Sequence, residues 1–249
     1  MPKKRVSLTV EEQLIEKVDA EAERKGLNRS RMMEEVISEY LSSRGLCTAA
    51  VLCGGEDASS MRLYEGKPVL SHVLDHLSGE GVERIILLAG SNRKEIENRF
   101  GSEFDGVALE YCEEDEPEGT AAALEKIRDK IGKPFVAVNG DVVTDVDLHD
   151  MLKVHREEGR TATMALTTVE KPADYGVVKM KGRTITGFEE KPSPGSEPSR
   201  LINAGTYIFE PEIFSKMSHK SLEKVFEDLA EQKELSGYIY GGRWKDIDS

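Results

Sequence analysis

The stretch AAVLCGGEDASSMRLYEGKPVLSHVLDHLSGEG, residues 49–81, sets the fold reading. It opens on a short apolar run, the signature of a strand buried on both faces. Gly54-Gly55 then ends the run, where bare backbone amides can approach a phosphate. VLSHVLDHLSGEG reads as a helix. Strand, glycine turn and helix form the first unit of a parallel sheet. Two acids, Glu56 and Asp57, stand inside the loop, where a phosphate site wants positive charge.

The same alternation continues downstream. RIILLAG, ALEYCEE, FVAVNGD and ATMALTTVE read as strands; NRKEIENRF, TAAALEKIRDKIG and DLHDMLKVHREEG read as helices. The expected fold class is therefore α/β, a mainly parallel Rossmann-like sheet with helices on both faces. Beyond residue 170 the segments YGVVKMKG, RTITGFEEKP, INAGTYIFEP and YIYGGRWKDI are shorter and β-like, so a mixed β extension is expected there. Ligands in such sheets bind at the C-terminal ends of strands.

Composition bounds the function. The chain has 249 residues, 38% hydrophobic and 33% charged, with a formal net charge of −13. That excludes a mostly basic nucleic-acid coat over the whole chain. Residues 1–46 hold nine Lys/Arg and nine Asp/Glu, so all the excess negative charge belongs to the remainder. Two domains are expected, residues 1–46 and 47–249. Three cysteines without a CxxC pair point to a reducing, cytoplasmic setting. No apolar stretch is long enough for a membrane span, and the basic N-terminus lacks the apolar segment of a secretory signal.

In the first domain KKRVSLTV alternates like a half-buried strand, EEQLIEKVDAEAERKG reads as a helix stopped by Gly26, and Asn28 is a candidate cap for a second helix. One strand and two helices cannot close a core alone, and the open strand edges invite a second chain. This module resembles the ribbon-helix-helix family of DNA-binding repressors. The resemblance implies a homodimer whose paired strands enter the major groove of operator DNA. It assigns base reading to Arg5, Ser7 and Thr9, and phosphate contact to the start of the second helix at Arg29 and Ser30. A module that only dimerises is the plainer reading.

In the second domain the ordered series LCGG, GKPVLSHVL, EPEGTAAAL, VNGD, DYGVV, EEKP, INAGTYIFEP and WKDID resembles the sugar-1-phosphate nucleotidylyltransferase family. By that resemblance Asp141 and Asp246 hold Mg²⁺, and Lys191 binds the sugar phosphate as a point charge. Glu190 and Asn203 hold sugar hydroxyls, Gly176 gives backbone access, and Gly119 and Thr120 lie near the base. Gly54 and Gly55 line the phosphate loop. The implied partners are an NTP, a sugar phosphate or a sugar nucleotide.

The loop departs from the family pattern. EDASSMRLYE lacks the Gly-Thr-Arg turn and the Pro-Lys-Pro lysine. Arg62 is a candidate stand-in for the family arginine. Each acid placed against a triphosphate in a poorly solvated cleft costs on the order of 1 kcal/mol or more. Three readings compete. One is a dimeric DNA-binding transcriptional regulator whose second domain binds a sugar nucleotide or sugar phosphate with catalysis reduced or lost. The second is an active Mg²⁺-dependent enzyme, Arg62 and Lys67 supplying the missing charge. The third is a DNA-binding protein whose large domain is a passive scaffold. His72 and His76 have metal-ligand spacing, but no motif supplies a third ligand. The acids of EEDEPE, residues 113–118, read as a solvated loop.

Overall fold

The computed structural model describes residues 7–43, 45–54, 59–112 and 118–247. Arg5, Gly55, Glu56, Asp57, residues 113–117 and Asp248 lie outside the described residues. The chain separates into two compact units, Met1–Gly45 and Leu46–Ser249.

The small unit contains α1 (Glu12–Lys25) and α2 (Arg29–Ser43). Gly26 takes a left-handed φ of 66°, and its N–H and that of Leu27 close the helix end on Ala22. Asn28 caps α2: its Oδ1 accepts the Arg31 N–H at 3.0 Å. Ala22 and Met32 are buried, whereas Leu8, Leu14, Val36 and Ile37 are exposed. Residues 7–10 form no strand in the single chain. A strand needs a ladder partner, and a lone chain offers this segment none.

In the large unit β1 (Thr48–Leu52) is followed by a small hairpin, β2 (Leu63–Tyr64) with β3 (Lys67–Pro68), then α3 (Val69–Gly79) and β4 (Arg84–Leu88). Next come α4 (Arg93–Phe100), β5 (Glu103–Phe104), β6 (Val107–Cys112), α5 (Thr120–Glu125), β7 (Phe135–Asn139), β8 (Val142–Thr144), α6 (Leu148–Glu158) and β9 (Ala162–Thr168). The C-terminal part holds β10 (Gly176–Lys181), β11 (Thr184–Glu190), β12 (Leu201–Phe209), α7 (Ile213–Lys216), α8 (Leu222–Glu231), β13 (Leu235–Ile239) and β14 (Trp244–Asp246).

Ten strands form one sheet in the order β10-β11-β13-β9-β12-β7-β1-β4-β6-β5. The block β7-β1-β4-β6 is parallel. The other half is largely antiparallel and curls until β10 also meets β12. Alternate side chains of the parallel strands feed two cores. Ala50, Ile86 and Ala137 face Leu124 of α5 and Val225 and Phe226 of α8. Ala49, Val51, Ile85, Leu87, Val136 and Val138 face Leu74 and Leu77 of α3 and Leu152 of α6. Helices therefore cover both faces. Among the described residues no helix is long and apolar enough to cross a membrane.

Three details differ from the sequence expectation. INAGTYIFEP is not peripheral: as β12 it inserts antiparallel between β7 and β9. The helix expected from Thr120 onward stops at Glu125, because Ile127 turns into the core and Arg128 is drawn to the Phe214 carbonyl. And α8 was not foreseen, although Leu222, Val225, Phe226, Leu229 and Ala230 recur at helical spacing and all are buried.

Candidate functional site

A cleft of about 220 Å³ opens where the C-terminal ends of β1 and β7 meet the antiparallel half. Thr120, Asp141, Gly176, Glu190, Lys191, Asn203 and Asp246, all expected from sequence, line it together. Chain segments more than a hundred residues apart supply them.

Two backbone devices hold the carboxylates. Asp141 follows the turn Asn139-Gly140, whose Gly140 N–H donates to the Leu52 carbonyl at 2.8 Å. A Cβ on Gly140 would stand 2.8 Å from Cys53 Cβ and 3.0 Å from the Leu52 oxygen, so only glycine lets β7 turn this close to β1. Burial of Cys53 beneath this turn pushes its thiol up to about 12. Asp246 arrives on β14, which pairs antiparallel with β8 in the register Asp246↔Val142. The Ile247 N–H donates to the Asp141 carbonyl at 3.3 Å. The two carboxylate residues are thus set side by side by strand pairing.

β12 shapes the neighbouring wall. Its ladder shifts register between Asn203 and Tyr207. Inside that bulge Gly205 has φ 74°, and its N–H donates to Asn203 Oδ1 at 3.0 Å. Asn203 Nδ2 donates to the Tyr207 hydroxyl at 2.8 Å. The Asn203 amide therefore holds its own bulge and keeps one N–H for a ligand. Trp244 Nε1 donates to the Ala204 carbonyl at 3.1 Å, and its ring meets Tyr175 edge-on at 5.3 Å. The strand that carries Asp246 is tied to the bulge that carries Asn203.

Glu190 ends β11 and Lys191 follows it. Burial, reinforced by the charge of Glu223, raises the Glu190 carboxyl above its ordinary value. Lys191 adopts φ 47°, the left-handed region that a side chain rarely enters, while its N–H donates to the Tyr175 carbonyl at 3.0 Å. Gly176 faces Glu190 across the ladder. A Cβ there would lie 2.4 Å from Phe188 Cζ and 2.8 Å from Glu190 Oε2, so this glycine makes room for the glutamate itself. The Thr120 hydroxyl accepts the Leu222 N–H at 3.0 Å, which ties α5 to α8.

Other expected residues stand outside this lining. Gly119 precedes Thr120, and its φ of 115° places its would-be Cβ 2.5 Å from the Lys220 oxygen. Gly54 is exposed. Arg62 is exposed beside the β2–β3 hairpin, and its carbonyl accepts the Val69 N–H at 2.9 Å. Lys67 pairs with Asp75. Arg243 pairs with Glu65 at 2.7 Å and lies over the Tyr64 ring. In the small unit Ser7 and Thr9 are exposed and Ser30 sits in the first turn of α2. The Arg29 guanidinium is clamped by both Asp19 oxygens at 2.6 Å.

Sequence reasoning missed Glu223, Asp174, Tyr207 and Trp244 as lining residues. For Glu223 only the helical place had a local signal: Ser221 caps α8 by accepting the Lys224 N–H, which puts Glu223 in the first turn. Five carboxylates, Asp141, Asp174, Glu190, Glu223 and Asp246, share the lining with one ammonium, Lys191, among the described residues. An anionic ligand entering such a cleft needs a cation with it. The oxygen donors of Asp141 and Asp246 fit Mg²⁺, which takes one or two carboxylates and completes its shell with substrate phosphates and water.

Comparison with known proteins identifies the families of both units. The nucleotidyl transferase family matches residues 59–248, and the ribbon-helix-helix protein, copG family, matches residues 4–42. The chain is 36% identical over 193 residues to the mannose-1-phosphate guanylyltransferase catalytic subunit beta of Drosophila pseudoobscura pseudoobscura, covering 74% of this chain and 52% of that protein. It is 37% identical over 191 residues to the Danio rerio counterpart, covering 73% and 52%. The chain spans about half the length of these curated relatives. Among solved structures, UDP-glucose pyrophosphorylase from Acinetobacter baumannii superposes with a TM-score of 0.71 at 19% identity, covering 82% of this chain and 89% of that one. At that identity the likeness speaks for the fold. The chain belongs to the nucleotidyl transferase family, with a ribbon-helix-helix module of the copG family at its N-terminus.

Proposed function

We propose that the large domain binds a sugar 1-phosphate or its nucleoside diphosphate sugar together with Mg²⁺, and that the small domain pairs two chains on DNA. Catalysis is reduced or lost, so the molecule works as a sugar-nucleotide-responsive regulator. One observation carries the reading. Asp141, Glu190, Lys191, Asn203 and Asp246 line one cleft together, while the candidate cations Arg62 and Lys67 stand outside that lining.

The chemistry follows from the residues. Lys191 meets the sugar phosphate as a point charge at a strained, fixed backbone position. Glu190 accepts hydrogen bonds from sugar hydroxyls, and the remaining Asn203 N–H donates one. Asp141 and Asp246 hold the metal, which would supply the positive charge that this acidic cleft lacks. The guanylyltransferase relatives make mannose 1-phosphate and GDP-mannose the first ligands to try. In the small domain the exposed Leu8, Leu14, Val36 and Ile37 are the surface a second copy would cover. Exposed Ser7 and Thr9 would lie on the outer face of the ribbon.

The test has two arms. Calorimetry with GDP-mannose and mannose 1-phosphate in Mg²⁺ should show binding that is lost in Asp141→Ala. Pyrophosphate release from GTP and mannose 1-phosphate should be absent or far below that of a guanylyltransferase. Brisk turnover that vanishes in Asp141→Ala would replace this reading with the second one, an active enzyme dimerised through its N-terminal module. Gel shifts on selected operator DNA, with and without the bound ligand, test the regulator. Equal DNA affinity in both would remove the coupling.

A further inference from the structure

The metal-ligand spacing noted at His72 and His76 is not where the fold gathers ligands. His72 turns its Nε2 to the Tyr64 carbonyl at 2.9 Å and its ring to the Tyr64 ring. At the C-terminal end of α3 a different set converges. Glu80 caps the C-terminus of α3, Asp147 caps the N-terminus of α6, and His149 lies in the first turn of α6. One ligand atom from each lies within 4.8 Å of the other two. A tetrahedral ion with bonds of about 2.1 Å holds its ligand atoms roughly 3.4 Å apart, so closing this triangle takes side-chain shifts of about 1 Å.

We propose that Glu80, Asp147 and His149 form a second divalent-cation site, separate from the cleft and suited to a borderline ion such as Zn²⁺. The donor set, two carboxylates and one imidazole, is the mixed N/O set that such ions take and that Mg²⁺ does not favour. The electrostatics agree. Among the described residues Glu80 and Asp147 have no ion pair with Lys or Arg; the basic partner of Glu80 is His149, whose Nδ1 stands 3.2 Å from Glu80 Oε2. Two lone pairs do not face each other at that distance, so a proton occupies the position that a cation would take.

The surroundings add to the case. The Tyr238 hydroxyl donates to Asp150 at 3.0 Å and sits within reach of the charges of Asp147 and Glu80, so a further acid stands near the site. One helical turn before Glu80, the Nε2 of His76 is buried without a hydrogen-bond partner. Glu80, Asp147 and His149 are half-buried or exposed, which leaves an entry path. The site would staple α3 to α6. It would also pin the far end of the segment that begins at Asp141 and runs through β8 to Asp147, the strand against which Asp246 is paired.

The experiment uses the full chain, stripped with EDTA and held in excess Mg²⁺ to occupy the cleft. Titration with Zn²⁺ should give one saturable site and a raised melting temperature. Affinity should fall at least about tenfold in His149→Ala and in Glu80→Gln, whose amide oxygen still accepts the Leu148 N–H. It should be unchanged in Asp141→Asn. The Co²⁺-loaded protein should show no thiolate charge-transfer band, which separates this site from the cysteines. Zn²⁺ binding that survives both substitutions, that disappears in Asp141→Asn, that shows a thiolate band, or that never saturates below millimolar concentration overturns the proposal.

Discussion

The two sides of the cleft are built by different means. On the side of Asp141, Glu190, Asn203 and Asp246 the candidate residues are held by packed or paired backbone. Gly140 packs against β1, the bulge of β12 is clamped by Asn203 and Trp244, and β14 is registered on β8. On the side of Arg62 and Lys67 the hairpin is small and is held by the surface pairs Lys67–Asp75 and Arg243–Glu65. Backbone packing in a buried setting is costly to disturb, whereas exposed ion pairs contribute about 0–1 kcal/mol. The first side rests on packed and paired backbone, the second on solvated ion pairs. A domain that binds without efficient triphosphate chemistry is what such an asymmetry would produce.

Removing a carboxylate should show the contrast most strongly. Asp246→Asn or Asp141→Ala is expected to weaken Mg²⁺-dependent binding of GDP-mannose at least about a hundredfold, roughly 3 kcal/mol, by loss of an oxygen donor to the ion. Calorimetry with and without Mg²⁺ measures it. A loss that persists without Mg²⁺ would mean that these residues touch the ligand directly.

Next is the backbone itself. Gly140→Ala must push its new methyl into Cys53 and the Leu52 carbonyl, so it should destabilise the large domain by about 1–3 kcal/mol. Urea unfolding checks it. An unchanged midpoint would show that β7 is free to retreat from β1.

Titration gives two further effects, both confined to part of the pH range. His155 is buried with Nδ1 on Thr163 Oγ1 at 2.8 Å, and burial drops its pKa to about 4. Its folded pKa lies below the unfolded value near 6.5, so stability is intact above about 6.5 and is lost as pH falls toward 4. The span corresponds to roughly 3 kcal/mol at the acid end. His155→Gln should flatten that part of the pH–stability curve. Glu190 behaves oppositely. Its folded pKa is raised, so the penalty for its charge is absent at low pH and grows as pH rises through the carboxylate range. Glu190→Gln should therefore raise the melting temperature at neutral pH, with a gain that shrinks on acidification, while sugar binding is lost. A melting temperature lowered at neutral pH would contradict the burial argument.

The smallest effect belongs to the hairpin. Lys67→Ala removes an exposed pair and should change stability by less than about 0.5 kcal/mol and GDP-mannose affinity by less than about threefold. A large loss of affinity would bring the hairpin into the site and favour the enzyme reading.

Much of this was legible in the sequence. Alternating apolar runs marked the parallel block, because a strand covered by helices on both faces must be apolar at successive positions. Gly26 and Asn28 marked the helix boundaries of the small domain, because end capping is local chemistry. Asp141, Glu190, Lys191, Asn203 and Asp246 could be named from the sequence, since each stands in its place in a known ordered series of motifs. Tertiary structure alone decided how they meet. Nothing within INAGTYIFEP says that it inserts between β7 and β9, because strand order is set by which edges remain open once the other strands have paired. Nothing near Asp246 says that β14 will register on β8, and Glu223 reaches the cleft only because α8 packs across the sheet. The grouping of Glu80 with Asp147 and His149 has the same origin. Two helix ends separated by almost seventy residues are brought together by their shared contact with one face of the sheet, and no local pattern encodes that distance.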